Sequence, residues 1–286
     1  MCHRLMTTGQ FSASAGAALA CAAILLAPAS VAVAAEAPNL LEDSWQIELG
    51  SFSLNSDTEV QLDGDTQVGT PIDWENTFGD EDLTRFRIDG QWRFADRHKA
   101  RFMWFNSSRE ESKTLERDIE WGGETFPVNA KVSGEFNFDI YELAYEYAFL
   151  RRDTYELNGS FGLHYTDLSW SLEAKASSSG GVLQADVKRE ASVGAPLPVI
   201  GLRGVWQLPH QFWIDAHAQF FALSIDEYDG NLQDYKVMVL WQPKKWLGLG
   251  LGYNQFSVDV DVDADNFKGS LDWTYKGPML SYSVVF

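Results

Sequence analysis

The chain has 286 residues, a formal net charge of -19 and an aromatic content of 14%. This acidic balance argues against a nucleic-acid partner, because the neutralisation of phosphates needs clustered Lys and Arg. The aromatic content excludes a largely disordered chain. We therefore expect a folded protein with no nucleic-acid partner and no cofactor.

The first 35 residues have the pattern of a secretory signal peptide. A basic start precedes an apolar, small-residue run with A-x-A-like cleavage sites close to Ala35. A transmembrane anchor is the alternative interpretation, but Pro28 interrupts the run. We expect residues 36–286 to form a single domain. Both cysteines of the chain precede it, so no disulfide is expected there.

The rest of the chain alternates between apolar and polar residues. Between residues 85 and 94, apolar residues from Phe86 to Phe94 fall on one face and polar residues from Arg85 to Arg93 on the other. A period of two predicts β-strands. A transmembrane barrel turns the apolar face to lipid and the polar face to its lumen. No apolar run after residue 35 approaches 18 residues, so a membrane-spanning helix is not expected.

The turn pattern predicts an all-β fold, a closed antiparallel transmembrane barrel of ten strands. The strands are predicted at residues 44–54, 82–94, 99–121, 124–149, 154–177, 183–208, 211–225, 231–242, 245–260 and 268–286. Short turns join them at one end, at residues 95–98, 151–153, 209–211 and 242–245. Longer connections at the other end give the asymmetry of outer-membrane barrels, with the long hairpins outside the cell.

Two Gly-Gly pairs mark the tips of the longest hairpins. Gly122-Gly123 and Gly180-Gly181 can supply the positive φ angles of a two-residue turn. The strands on either side of each pair are longer than the roughly 9–11 residues that a strand needs to cross a bilayer, so these hairpins should extend beyond the membrane. Counts of eight or twelve strands stay open, because residues 58–62 and 67–72 could form a further hairpin.

Aromatic residues cluster beside the short turns. They are Trp92, Phe94, Phe149, Tyr155, Trp206, Phe212, Trp241 and Phe286. Amphipathic rings prefer the level of the lipid headgroups, so this clustering favours a membrane-interface girdle over ordinary core aromatics.

The last strand carries the most specific pattern in the chain. Gly277 is followed by alternating apolar residues Leu280, Tyr282, Val284 and Phe286, where the sequence ends on an aromatic ring. These final 11 residues or so resemble the C-terminal β-signal of bacterial outer-membrane proteins. The resemblance implies recognition by the barrel assembly machinery and a location in the outer membrane of a Gram-negative cell, among its lipids and lipopolysaccharide.

The inward faces of the predicted strands are rich in both signs of charge. We predict a lumen network of Arg85, Arg87, Asp89, Arg93, Arg101, Glu142, Glu146, Glu156, Arg203, Asp215 and His217, with Glu48, Lys99 and Lys236 also inward. The near-balance of charge favours a lumen plugged by ion pairs. A narrow passive channel for small solutes or ions is the alternative.

The predicted extracellular loops are acidic. Residues 55–82 contain no Lys or Arg, and a second acidic stretch occupies residues 257–268. A solvated face explains this composition, but hard divalent cations also bind clustered carboxylates. Possible weak cation sites are Asp80, Glu81, Asp82, Asp261 and Asp263. An extracellular ligand of unknown identity is a related possibility.

One short motif raises the question of catalysis. Asp215-Ala216-His217 has the spacing of the Asp-x-His used by omptins, the ten-stranded outer-membrane proteases, which face it with paired extracellular acids. Here the motif follows a short turn closely, so it should lie far from the acids at 80–82 and pair within the lumen, His217 with Asp215. We therefore predict a non-enzymatic barrel with a structural or surface-recognition role.

Overall fold

A computed structural model describes residues 37–65, 67–79, 83–174, 187–225, 228–264 and 267–286. The predicted signal peptide and the Gly180-Gly181 hairpin lie outside these ranges. Ten long strands dominate the fold: β1 Trp45–Leu62, β3 Leu83–Ala95, β4 His98–Thr114, β7 Lys131–Arg152, β8 Tyr155–Ala174, β9 Val187–Gln207, β10 Phe212–Ile225, β11 Tyr228–Lys244, β12 Leu247–Ala264 and β13 Phe267–Val285.

These ten strands form a closed antiparallel barrel. Each strand pairs with the next long strand along the chain, and β13 returns to pair with β1. The closure is anchored where Trp45 N donates to Phe286 O at 2.8 Å and Phe286 N donates to Trp45 O at 3.0 Å. The ten-strand prediction is confirmed, and the alternatives of eight or twelve strands are wrong. Residues 58–62 extend β1, and Glu59 and Val60 pair with Asp73 and Ile72 in a short hairpin that adds no strand to the barrel.

Three short strands and one helix lie at the end of the barrel with the long connections, which we call the loop end. They are β2 Ile72–Asp73, α1 Trp74–Phe78, β5 Ile119–Trp121 and β6 Glu124–Phe126. β5 and β6 fold about Gly122 and Gly123, which have φ values of 56° and 80°. Within the described ranges, no helix is long and apolar enough to cross a membrane.

The prediction of continuous strands at residues 99–121 and 124–149 is wrong in one respect. Both are interrupted, at residues 115–118 and 127–130, so β5 and β6 are separate from β4 and β7. Pro127 has no N–H for a strand ladder, and Asn129 adopts a positive φ of 66°. Backbone bonds between Leu115 and residues 129–130 close this break, and β5 and β6 form a sheet of their own.

The outer surface carries an apolar band between two rows of exposed rings. The row beside the short turns, at what we call the turn end, contains Trp92, Phe94, Tyr147, Phe149, Phe212, Trp241 and Phe286. The second row contains Trp104, Tyr141, Tyr165, Phe220, Tyr235 and Tyr253. On β10 the band covers nine residues, Phe212 to Phe220, which matches the 9–11 tilted residues, approximately, that a bilayer requires.

Candidate functional site

The lumen is crossed by a network of buried ion pairs, and Arg101 lies at its centre. Its Nη1 is 3.0 Å from Glu146 Oε1, and its Nη2 is 3.2 Å from Glu142 Oε1. Arg203 holds Asp215 through two bonds of 2.8 and 2.6 Å and also approaches Glu146 at 3.4 Å. These contacts join residues of four strands, β4, β7, β9 and β10, across the interior.

The network continues to the turn end through Glu156. Arg93 Nη1 donates to Glu156 Oε2 at 3.0 Å, and Lys99 Nζ donates to the other oxygen of the same carboxylate. Lys99 also lies 3.5 Å from Glu146, which connects this pair to the central cluster. Glu156 and Lys99 are fully buried, so their charges are stabilised by each other and by Arg93 and Glu146 instead of by water.

Towards the loop end the network is organised around Arg87. This side chain lies 2.9 Å from Asp89 and 3.5 Å from Asp234, while Lys236 lies 3.3 Å from Asp89. Arg85 lies above them and donates to Ser107 Oγ at 3.0 Å and to the carbonyl of residue 108 at 2.7 Å. Arg85 therefore marks the edge of the predicted network.

The predicted partner of His217 is wrong. His217 Nε2 lies 3.3 Å from Asp234 on the neighbouring strand, while Asp215 is occupied by Arg203. Successive inward residues of one strand are separated by roughly 7 Å, whereas cross-strand neighbours are closer. Asp234 was absent from the predicted network, although the alternation of β11 places it on the same face as Lys236.

A small polar cavity remains inside the network. It has a volume of about 20 Å³ and is bordered by Glu48, Gln91 and Asp215, which is room for about one water molecule. Glu48 is buried, and its Oε1 makes no hydrogen bond to another described residue.

A layer of aromatic rings fills the lumen between the ion network and the loop end. Its members are all at most 1% exposed: Phe52, Phe105, Phe136, Phe138, Phe256, Trp273 and Tyr275. The centroids of Phe138 and Trp273 are 3.9 Å apart, and those of Phe256 and Tyr275 are 5.2 Å apart. The alternation of β4, β7, β12 and β13 places their rings on the inward face, but it does not show that the rings gather into one layer.

The helix α1 covers this aromatic layer. The Trp74 ring contacts Phe136 at 5.8 Å and Phe78 at 4.6 Å between centroids. Gly134 leaves the space for these rings, because a Cβ there would lie 2.8 Å from Phe78 and 2.9 Å from Trp74. Asp73 caps the helix by accepting from Asn76 N at 2.9 Å. The apolar face of the helix is thus fixed against the lumen.

A polar latch, formed by Glu75, Thr58 and Arg109, holds the other side of α1. Glu75 accepts from Thr58 N at 2.8 Å and from Arg109 Nη1 at 2.6 Å. Arg109 also donates to Thr58 Oγ1 at 2.8 Å and lies over the Phe136 ring at 5.3 Å. A charged pair with these extra hydrogen bonds and a ring contact is much stronger than an exposed ion pair.

The segment before β1 lies across the turn end. Leu40 and Leu41 are 4% and 2% exposed. Arg151 Nη2 donates to the Leu41 carbonyl at 2.9 Å, and Lys245 Nζ donates to Asp43 at 2.7 Å. Because these two cations come from turns on separate strands, they fix the segment on both sides of the opening.

The structure describes two of the five residues predicted to bind cations, Asp261 and Asp263. Asp80, Glu81 and Asp82 lie outside the described residues. Asp261 is exposed, and Asp263 lies 2.7 Å from Lys268. No group of three or more His, Cys, Asp or Glu in the described part of the chain is arranged to hold a metal ion. Partial burial and the carboxylates of Asp272 and Asp261 raise the pKa of Asp259.

The predicted assembly signal forms the seam of the barrel. Leu280, Tyr282 and Phe286 are exposed on the outer face, and Val284 is half-buried on the same face. Gly277 points inward opposite Asn254. Phe286 stacks on Trp45 at 6.2 Å, so the last ring belongs to the exposed row at the turn end.

Comparison with known proteins identifies the fold but no family. No protein-family model matches the chain, and no curated protein sequence matches it significantly. The structure is similar to that of the outer membrane protease OmpT from Escherichia coli, with a TM-score of 0.58, 10% identity, and coverage of 85% of this chain and 97% of OmpT.

Two further solved structures overlap it less well. The attachment invasion locus protein Ail of Yersinia pestis gives a TM-score of 0.34 at 10% identity, covering 83% of this chain and 99% of Ail. The toluene transporter TodX of Pseudomonas putida gives 0.34 at 10% identity, covering 85% and 90%. The chain therefore has the fold of an outer-membrane β-barrel. This conclusion rests on the comparison with OmpT.

Proposed function

We propose that this protein is a closed, non-enzymatic barrel of the outer membrane, with a structural or surface-recognition role at the loop end. The main observation in support of a closed lumen is the aromatic layer, because it fills the lumen between the ion network and α1. In the orientation we propose, the loop end is extracellular, the turn end is periplasmic, and lipopolysaccharide surrounds the outer part of the barrel.

Three barriers in series support a non-conducting lumen. A solute entering from the loop end meets α1 and its latch, then seven packed rings, then the ion pairs around Arg101. The segment with Leu40 and Leu41 covers the opposite opening. Opening the centre would separate buried charges, at a cost of about 3–5 kcal/mol for each charge left without its partner. A narrow passive channel is therefore the less favoured function.

The placement of Asp215 and His217 supports a non-enzymatic role. Both side chains are buried, and their polar atoms are engaged by Arg203 and Asp234. They lie on the turn-end side of the aromatic layer, away from any substrate at the loop end. Acid–base catalysis requires groups within hydrogen-bond reach of the substrate. At 10% identity, the likeness to OmpT concerns the fold and not the protease activity.

Liposome swelling tests the closed lumen, and peptide hydrolysis tests the absence of protease activity. The purified, folded protein should give no swelling with a small sugar and no cleavage of a peptide library. A known porin serves as the positive control for swelling. Swelling at the rate of that porin would replace this proposal with a passive channel. Cleavage that disappears in Asp215→Asn and His217→Gln would replace it with a protease.

A further inference from the structure

Above the band on one side of the barrel, four strands continue as an exposed sheet. The segments are 106–112 of β4, 133–139 of β7, 167–173 of β8 and 188–194 of β9. We call their sixteen outward positions the lateral polar face. The positions lie in four rows in register, and one row reads Ser108, Asn137, Ser169 and Ser192.

The composition of the lateral polar face conflicts with strand propensity. It contains six Ser, four Glu, two Asn, two Asp, one Gly and one Lys, and so no β-branched or aromatic residue. Strands favour Thr, Val and aromatic residues and are depleted in Gly, Asp and Asn. Thr would supply a hydroxyl group of equal polarity together with a high strand propensity. A local rule broken this consistently is typical of a functional surface.

The stability of this sheet comes from its other face. The inward residues of the same segments include Phe136, Phe138, Leu168, Trp170 and Leu172, all at most 4% exposed. The outward residues therefore do not have to contribute to folding. The short side chains leave a groove on the outer surface, which is bordered by Asn137, Ser171 and Glu190.

Part of the lateral polar face is prearranged and part is free. On β4 and β7, Asn106 Nδ2 donates to Asp139 at 2.9 Å, and Ser112 and Ser133 share a bond of 2.6 Å. On β8 and β9, Ser169, Ser171 and Ser192 make no side-chain hydrogen bond to another described residue. Fixed acceptors thus lie beside free hydroxyl groups that can both donate and accept.

The charges of the lateral polar face select the kind of partner. Glu110 lies directly opposite Glu135, and Asp139 lies directly opposite Asp167. Like charges facing each other are unfavourable in a sheet without a partner. Such a surface is rich in hydrogen-bond acceptors and repels phosphate and other anions. Neutral molecules with many hydroxyl donors, which means sugars, are its chemical complement.

The position of the lateral polar face selects the source of those sugars. The row immediately below contains Trp104, Tyr141 and Tyr165, in register across β4, β7 and β8. Rings of this kind mark the headgroup level. The four polar rows then rise over roughly 20 Å along the strands. The surface faces sideways, so its neighbours are molecules of the same membrane leaflet.

We infer that the lateral polar face binds the neutral core sugars of the glycolipid molecules around the barrel in the outer leaflet. The inference rests on the proposed outer-membrane location. Direct contact is made by hydroxyl groups of the sugars with the Ser, Asn and carboxylate side chains of β7, β8 and β9. The phosphate groups of the same glycolipid lie nearer the membrane and away from these carboxylates.

Binding of two lipopolysaccharides to the purified protein tests the inference. One has a complete core oligosaccharide, and the other is a deep-rough form that lacks the outer core sugars. The test variant is Ser169→Val/Ser171→Val/Ser192→Val. The matched control is Ser257→Val/Thr274→Val, which changes a bonded outward pair on β12 and β13. Gel mobility before and after boiling verifies that each variant is folded.

The native protein and the control should bind the complete form more tightly than the deep-rough form. The triple variant should lose about tenfold or more of this preference, since three hydroxyl groups no longer bond to sugar. Equal affinity of the native protein for both forms, or an unchanged preference in the triple variant, would overturn the inference. Membrane fractionation separately tests the proposed location, so the two failures are distinguishable.

Discussion

Replacing Arg101 by Met removes the cation at the centre of the lumen network. Two buried carboxylates then lose their nearest charge partner, Glu146 at 3.0 Å and Glu142 at 3.2 Å. Breaking a buried pair costs about 3–5 kcal/mol. Glu146 keeps Lys99 and Arg203 at 3.5 and 3.4 Å, so we expect about 3 kcal/mol, the lower end of that range.

A second substitution, Glu142→Gln, should reduce the loss of stability that Arg101→Met causes. Glu142→Gln removes one of the two stranded charges, and Gln219 still reaches the oxygen at this position, at 2.7 Å in the native protein. Arg101→Met/Glu142→Gln should therefore lose less stability than the sum of the two single changes, by about 1–3 kcal/mol. Arg152→Met, at the exposed end of β7, is the control and should change stability by less than about 0.5 kcal/mol.

The assay is urea unfolding in detergent, followed by tryptophan fluorescence and by gel mobility. Coincident transitions would justify a two-state free energy of unfolding. The reasoning is refuted if Arg101→Met costs as little as Arg152→Met. It is also refuted if the two single changes are strictly additive, because additivity means that Arg101 and Glu142 do not interact.

Three further predictions concern the seam, the latch and the acidic strands. Phe286→Asp should reduce the amount of folded protein in outer-membrane fractions severalfold, because it places a charge at the turn-end seam, whereas Thr274→Asp beyond the band should not. Arg109→Met should speed amide hydrogen exchange in residues 74–78, because Glu75 loses its charge partner. Asp259→Asn should raise the unfolding free energy at neutral pH and have no effect at a pH below the ordinary carboxyl pKa, because a raised pKa in the folded state destabilises only the charged form.

Each of these has a contradicting outcome. Equal amounts of the Phe286 and Thr274 variants in the outer-membrane fraction would show that Phe286 at the seam is not needed for assembly. Unchanged exchange in Arg109→Met would show that the latch does not hold α1. Lys113→Met, which removes only an exposed bond to the Asn76 carbonyl, should accelerate exchange less than Arg109→Met does. A destabilised Asp259→Asn protein at neutral pH would mean that the carboxylate makes a favourable contact.

Much of the barrel was predictable because a strand in a barrel wall has two different environments. Alternation from Arg85 to Phe94 identified the inward face of β3, and the short turns set the strand count. The charged residues of the lumen followed from the same rule. Alternation gives the side of the wall on which a residue lies, and that is enough to find the members of an inward network.

Alternation does not give depth or partners across the lumen. Arg87 meets Asn254, 167 residues away in sequence, and Arg203 meets Gln91. The His217 partner was missed for this reason, as was the gathering of seven rings into one layer. Helix α1 was hidden within an acidic stretch, since its five residues offer little periodicity and its stability comes from Gly134 and Arg109.

Single-channel recording in a planar bilayer tests the filled lumen most directly. The purified, folded protein should insert without producing stable unitary conductance at any applied voltage, in the presence of a porin control that does conduct. Reproducible unitary steps from the same preparation, carried by the barrel and absent from a heat-denatured sample, would contradict the account.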